Sequence, residues 1–131
     1  MLDIKFIREN KEPVKKAIKN KGVNLDIDEL LHADSKRRDL IWQVEEYRRK
    51  RNDASEAVAG EKDIAKKNDL IAETRSLKES GKILEDRLRQ AEEEYDRLML
   101  LVPNIPSPEA PVGSDAGYNK KIYKWGEPPV F

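Results

Sequence analysis

The sequence predicts an all-α protein dominated by a long antiparallel two-helix coiled-coil hairpin, with a short N-terminal helix packed at its root and an extended Pro-rich linker after it. Three observations carry this. Leu70, Leu77, Leu84, Ala91 and Leu98 fall seven apart and interleave with Thr74, Gly81, Leu88, Tyr95 and Val102, which is the alternating four-and-three spacing of a coiled-coil seam. Upstream, Leu30, Ala33, Arg37, Leu40, Val44, Tyr47, Arg51, Ala54 and Val58 form a matching stripe. No glycine or proline interrupts 27–59, and the stripes approach one another across a turn near Gly60.

At the start, Asp3 can cap a short turn, Ile4 to Arg8, and Asn10 can cap a second segment whose Pro13 sits in the first turn, where its missing N–H costs little. Ile4, Ile7, Val14 and Ile18 mark one apolar face, and Lys19, Lys21 and Gly22 supply a basic last turn and a stop. Asp26-Ile27-Asp28-Glu29 reads as a capping box that opens the first limb, about 27–59. At 1.5 Å per residue that limb is about 50 Å long, which is the length of an arm and not the width of a small domain. The return limb covers about 63–102. Pairing the limbs around the turn places Leu40 near Leu84 and Leu88, and Leu30 near Tyr95 and Leu98. Gly81 within the seam allows either a bend or a close approach of the helices.

At the root, Leu31 and Trp42 lie off the outgoing stripe, and Leu98 to Val102 cover the return helix nearly all round. A third element is needed there, and the N-terminal helix with Phe6, Ile7, Val14 and Ile18 supplies it, with Trp42 expected in that packing. Residues 1–102 are thus read as one helical arm domain. After Val102, Pro103, Pro106, Pro108 and Pro111 end the helix and impose an extended path. Ile122, Tyr123 and Trp125 could form a short strand, and 103–131 reads as a linker leading to a domain beyond Phe131.

Composition fits an arm. Charged residues make up 40% of the chain and apolar ones 37%, with a mean hydropathy of -0.85, so most side chains must be wet. There is no cysteine and one histidine, His32, which excludes disulfides and cysteine or histidine metal clusters. No apolar run approaches the length of a membrane span, and the chain is read as cytoplasmic. Acidic pairs such as Glu45 and Glu46 sit on exposed helix faces, and no glycine pattern makes a phosphate loop, so no catalytic constellation is present.

The 26 basic and 26 acidic residues balance, but not locally. Between Lys36 and Arg51 seven cations face three carboxylates, whereas from Glu85 to Arg97 three cations face six. A polyanion is attracted to the outer hairpin and repelled nearer the root. The candidates for its phosphates are Arg38, Arg48, Arg49, Lys50 and Arg51 on the outgoing limb and Lys66, Lys67, Lys78 and Lys82 on the return limb. The competing reading pairs these cations within their own helices, Glu45 with Arg49 and Glu46 with Lys50, and leaves a hairpin that docks on another protein without binding RNA.

Four stretches, in order, extend this reading: Met1-Leu2-Asp3-Ile4-Lys5-Phe6-Ile7-Arg8-Glu9-Asn10 at the start, Leu40 to Ser55 with its Arg48-Arg49-Lys50-Arg51-Asn52 run, the Val102-Pro103-Asn104-Ile105-Pro106 exit, and the Trp125-Gly126-Glu127-Pro128 end. Together they resemble the N-terminal arm of seryl-tRNA synthetase over the whole chain. The resemblance implies a tRNA-binding module of a class II aminoacyl-tRNA ligase. In that family a homodimer attaches serine to its tRNA using ATP and magnesium, and the arm grips the long variable arm and elbow of a serine tRNA, reaching toward the tRNA served by the other subunit. It implies that the catalytic domain follows Phe131, that ATP and magnesium belong to that domain, and that this chain alone is catalytically inactive.

Overall fold

A computed structural model describes residues 2–127, which form four α-helices and one 3-10 turn: α1 (Ile4–Glu9), α2 (Lys11–Asn20), α3 (Ile27–Gly60), α4 (Ile64–Leu101) and the turn Ala116–Tyr118. The chain divides into two compact units. One joins the stretch ending at Ile27 to the stretch beginning at Leu101, and the other is the hairpin, Asp28–Leu100. The segments before and after the hairpin therefore cluster with each other.

In the first of these units, Asp3 caps α1 by accepting a hydrogen bond from the Lys5 N–H at 3.4 Å. Asn10 does not cap α2 as its sequence position suggests. Its Nδ2 donates to the Phe6 carbonyl at 3.0 Å and closes α1 instead. Gly22, at φ +61°, lets the Val23 N–H reach the Ile18 carbonyl at 3.1 Å, a left-handed C-terminal cap that ends α2. Ile7, Val14, Ala17 and Ile18 are buried. The proline-rich exit runs beside α2, where Pro13, Ala17 and Asn20 line a groove with Ile105, Pro106 and Val112. Further on, Asp115 Oδ1 accepts from the Gly117 N–H at 2.7 Å and holds the 3-10 turn. The strand expected over Ile122, Tyr123 and Trp125 is not formed. The described residues contain no strand, and these three side chains are exposed. Residues 128–131, with Pro128 of the Trp125-Gly126-Glu127-Pro128 stretch, lie outside the described residues.

The hairpin unit consists of two helices of 34 and 38 residues, about 51 and 57 Å long at 1.5 Å per residue. Gly60 is the last residue of α3 and does not adopt a left-handed conformation. Side chains make the turn instead. Glu61 Oε1 accepts from the N–H groups of Lys62 and Asp63 at 2.8 and 2.9 Å, and Asp63 Oδ1 accepts from those of Ala65 and Lys66 at 2.9 and 3.3 Å, capping α4.

Along the seam, Leu30, Ala33, Leu40, Val44 and Tyr47 of α3 and Gly81, Ala91 and Leu98 of α4 are buried. Beyond Tyr47 and Gly81 the seam is only half-buried at Ala54, Val58, Leu70, Thr74 and Leu77. The Tyr47 ring occupies the space that a side chain at position 81 would need, so the glycine makes room for that ring in the seam. Nearer the root, the Arg37 guanidinium stacks 4.3 Å from the centre of the Tyr95 ring. Asp34 is fully buried and holds Arg37 at 3.5 Å and Arg38 at 3.2 Å. Trp42 does not join any core, being 62% exposed.

Three outcomes follow for thermal unfolding followed by circular dichroism. Asp63→Ala removes the cap of α4 and should cost about 1 kcal/mol, whereas Gly60→Ala, with open space around its Cβ, should be neutral or stabilising by up to about 1 kcal/mol. Gly81→Ala gains about 1 kcal/mol of helix propensity but displaces the buried Tyr47 ring, an overpacking cost of about 1–3 kcal/mol, so the melting temperature should fall. In a Tyr47→Leu background the same Gly81→Ala change should instead raise it. Asp34→Ala strips the carboxylate from the half-buried Arg37 and should cost about 1–3 kcal/mol, while Arg38→Ala, at a side chain 52% exposed, should cost at most about 1 kcal/mol.

Candidate nucleic-acid interface

Ridges of the two limbs leave furrows on both sides of the seam. One side carries Tyr47 and Arg51 of α3 with Lys78, Glu79, Lys82 and Glu85 of α4, and continues outward through Ser55 and Val58 with Ile71, Thr74, Arg75 and Lys78. Lys78 belongs to both stretches, so they form one strip. The other side carries Trp42, Glu46 and Lys50 with Leu77, Ser80 and Leu84.

This geometry sorts the nine cations singled out by sequence. Arg51, Lys78 and Lys82 come together on the first side, and Arg48 joins them by crossing to Glu85 at 3.3 Å. Arg49 pairs with Glu46 at 2.9 Å, one residue closer than the expected Glu45–Arg49 and Glu46–Lys50 spacing, and Lys50 lines the Trp42 furrow. Lys66 and Lys67 occupy the first turn of α4, beside the Asp63 cap. Arg38 stands near the root, drawn to the buried Asp34. Among the described residues, Lys50, Lys66, Lys67, Lys78 and Lys82 have no carboxylate at ion-pair distance. Those cations are held by nothing that an anion would have to displace.

Sequence reasoning missed two members of this arrangement. Arg75 lies three residues before Lys78 and seven before Lys82, a helical spacing that places all three on one face. Asp34 was legible as the carboxylate three and four residues before Arg37 and Arg38, but its position beside the seam stripe hid its burial. Charge balance within the limbs also hid the cross-limb pairs Arg48–Glu85 and Lys36–Glu94, the latter at 3.5 Å, since these depend on register.

Among the described residues no helix is long and apolar enough to cross a membrane. The sequence matches the family model described as the seryl-tRNA synthetase N-terminal domain over residues 1–106. A serine-tRNA ligase of Carboxydothermus hydrogenoformans is 42% identical over 132 residues, covering all of this chain and 31% of the relative, and one of Rubrobacter xylanophilus is 41% identical over 131 residues with the same coverage. The chain therefore spans about a third of the length of the curated relatives it matches. Among solved structures, a seryl-tRNA synthetase from Pyrococcus horikoshii, crystallised with ATP, superimposes with a TM-score of 0.74 at 31% identity over 96% of this chain and 29% of that one. The match over residues 1–106, the identity along the whole chain and the shared fold establish that this chain belongs to the seryl-tRNA synthetase N-terminal domain family.

Proposed function

We propose that this chain is the tRNA-binding arm of a serine-tRNA ligase, gripping the long variable arm and elbow of a serine tRNA through phosphates and shape. The observation that carries the reading is the outer hairpin, where Lys78 and Lys82, with no carboxylate at ion-pair distance, project from a lever of about 50 Å in a chain of this family. Lysine and arginine on a helix surface meet phosphate oxygens as charges and do not by themselves read base edges, so selectivity has to come from where the RNA places its backbone. On this reading the working enzyme is a cytoplasmic homodimer, and serine activation with ATP and magnesium belongs to a catalytic domain of the whole enzyme. Among the described residues no three His, Asp or Glu side chains gather where they could hold a metal.

A hairpin that docks on another protein has one observation in its favour, the exposed Trp42 above Leu77 and Leu84. The two readings part in one experiment. Titrated with tRNA in a filter-binding assay, the chain should prefer a long-variable-arm tRNA to a short-armed one. Its log affinity should fall against log salt with a slope of about −3 for four phosphate contacts. Equal binding of the short-armed tRNA would remove the selective grip. Self-association in sedimentation without any RNA binding would leave the protein-docking hairpin.

A further inference from the structure

The two sides of the outer hairpin differ in charge as well as in lining. Along the strip that runs from Glu85 to Ile71, Arg48, Arg51, Arg75, Lys78 and Lys82 are accompanied by only Glu79 and Glu85. Of these five cations only Arg48 is held in an ion pair, and Arg51 makes a 3.4 Å hydrogen bond to the neutral Asn52. The opposite side reads differently. There Arg49, Lys50 and Lys66 stand among Glu46, Asp53, Asp69 and Glu73, with Lys66 and Asp69 seven and four residues before Glu73. Asp53 follows Glu46 by seven residues and Lys50 by three, and Glu73 precedes Ser80 by seven and Leu77 by four, which puts them in the rows that line the Trp42 furrow. Arg49 is already paired with Glu46.

We infer that the arm is one-sided: it meets the RNA backbone with the Arg51, Arg75, Lys78 and Lys82 strip, and turns the acidic Trp42 side away from it. This rests on the tRNA-binding reading and narrows it to a face. A phosphate run laid along the strip meets five cations across its furrow, with Ile71 and Val58 as its apolar floor toward the tip. The same run laid on the other side meets four carboxylates against three cations, a like-charge juxtaposition that disfavours that orientation relative to the strip. One-sidedness also gives the lever a handedness. An RNA can sit on only one flank of the hairpin, so the arm's roll about its axis fixes the side from which a tRNA approaches.

Two triple variants with the same change in net charge test the inference. Arg75→Gln, Lys78→Gln and Lys82→Gln together should weaken tRNA binding by tenfold or more near physiological salt and flatten the salt slope by about 2, at roughly 0.7–0.9 per lost contact. Arg49→Gln, Lys50→Gln and Lys66→Gln together should change affinity less than threefold and leave the slope in place. Glutamine keeps helix propensity, and circular dichroism checks that both variants fold. Lysine acetylation of the unaltered chain gives an independent readout: bound tRNA should protect Lys78 and Lys82 and leave Lys50 and Lys66 reactive. Equal losses from both triples, or protection of all four lysines, would overturn one-sidedness while leaving tRNA binding in place. An unaltered chain that binds no tRNA at any salt would instead overturn the proposed function itself.

Discussion

The close packing of Tyr47 on Gly81 is the constraint that the rest of the hairpin depends on. An aromatic ring needs a gap in the facing helix, and a glycine supplies one only where it stands opposite. Once that pair is seated the limbs have one register, and the remaining cross-limb partners follow from it: Arg37 over Tyr95, Lys36 to Glu94, Arg48 to Glu85. The ion pairs do not set this register. Their side chains are 41–57% exposed, and exposed pairs contribute about 0–1 kcal/mol each. Burial of Leu30, Val44 and Tyr47 contributes far more, at about 1.5–3 kcal/mol for a fully buried large apolar side chain. The charges therefore report the register that the seam imposes.

The same pair divides the hairpin. On the root side Leu30, Ala33, Leu40, Val44, Ala91 and Leu98 of the seam are buried, with Leu84, Leu88 and Tyr95 half-buried. On the turn side it is half-buried, and Ile64 and Ile71 are 79% and 47% exposed, so the outer helices rest on propensity and on the Asp63 cap more than on packing. Lys50, Lys66, Lys67 and Lys78, which have no carboxylate at ion-pair distance, belong to that outer half. A cation committed to a neighbouring carboxylate, like Arg49 to Glu46, has to exchange one partner for another before it can hold a phosphate. One that is solvated gains a charge-assisted contact for the loss of water and counterions alone.

How much of this was legible depended on whether a feature is set by spacing or by register. Heptad spacing was enough for the helices and the seam, because a stripe at three-and-four intervals has one helical solution. Local chemistry misled where two uses compete for one side chain. Asn10 closes the helix before it instead of opening the one after it. Gly60 needs no left-handed turn, because Glu61 and Asp63 satisfy the chain ends. Trp42, off the outgoing stripe, was expected in the root packing, but it lies about half a turn round the helix from Leu40 and Val44 and is 62% exposed. The cross-limb pairs, and the separation of Arg51, Lys78 and Lys82 from Arg49 and Lys50, depend on register and face, which a one-dimensional charge count does not carry.

A lever that holds RNA by its backbone gains selectivity from stiffness. Phosphates are alike along every tRNA, so a compliant strip of lysines would accept any of them at similar cost. A strip fixed on a long helix is different. Its cations can meet their phosphates together only when the RNA brings its backbone to that distance and that flank, and a misplaced backbone forfeits several contacts at once. The buried inner seam, anchored by Tyr47 on Gly81, is what transmits such a constraint, since the outer half is too thinly packed to hold its own direction. Close packing at the middle of the hairpin thereby becomes a condition for discrimination at its end, even though no residue of that packing touches the RNA on the proposed reading.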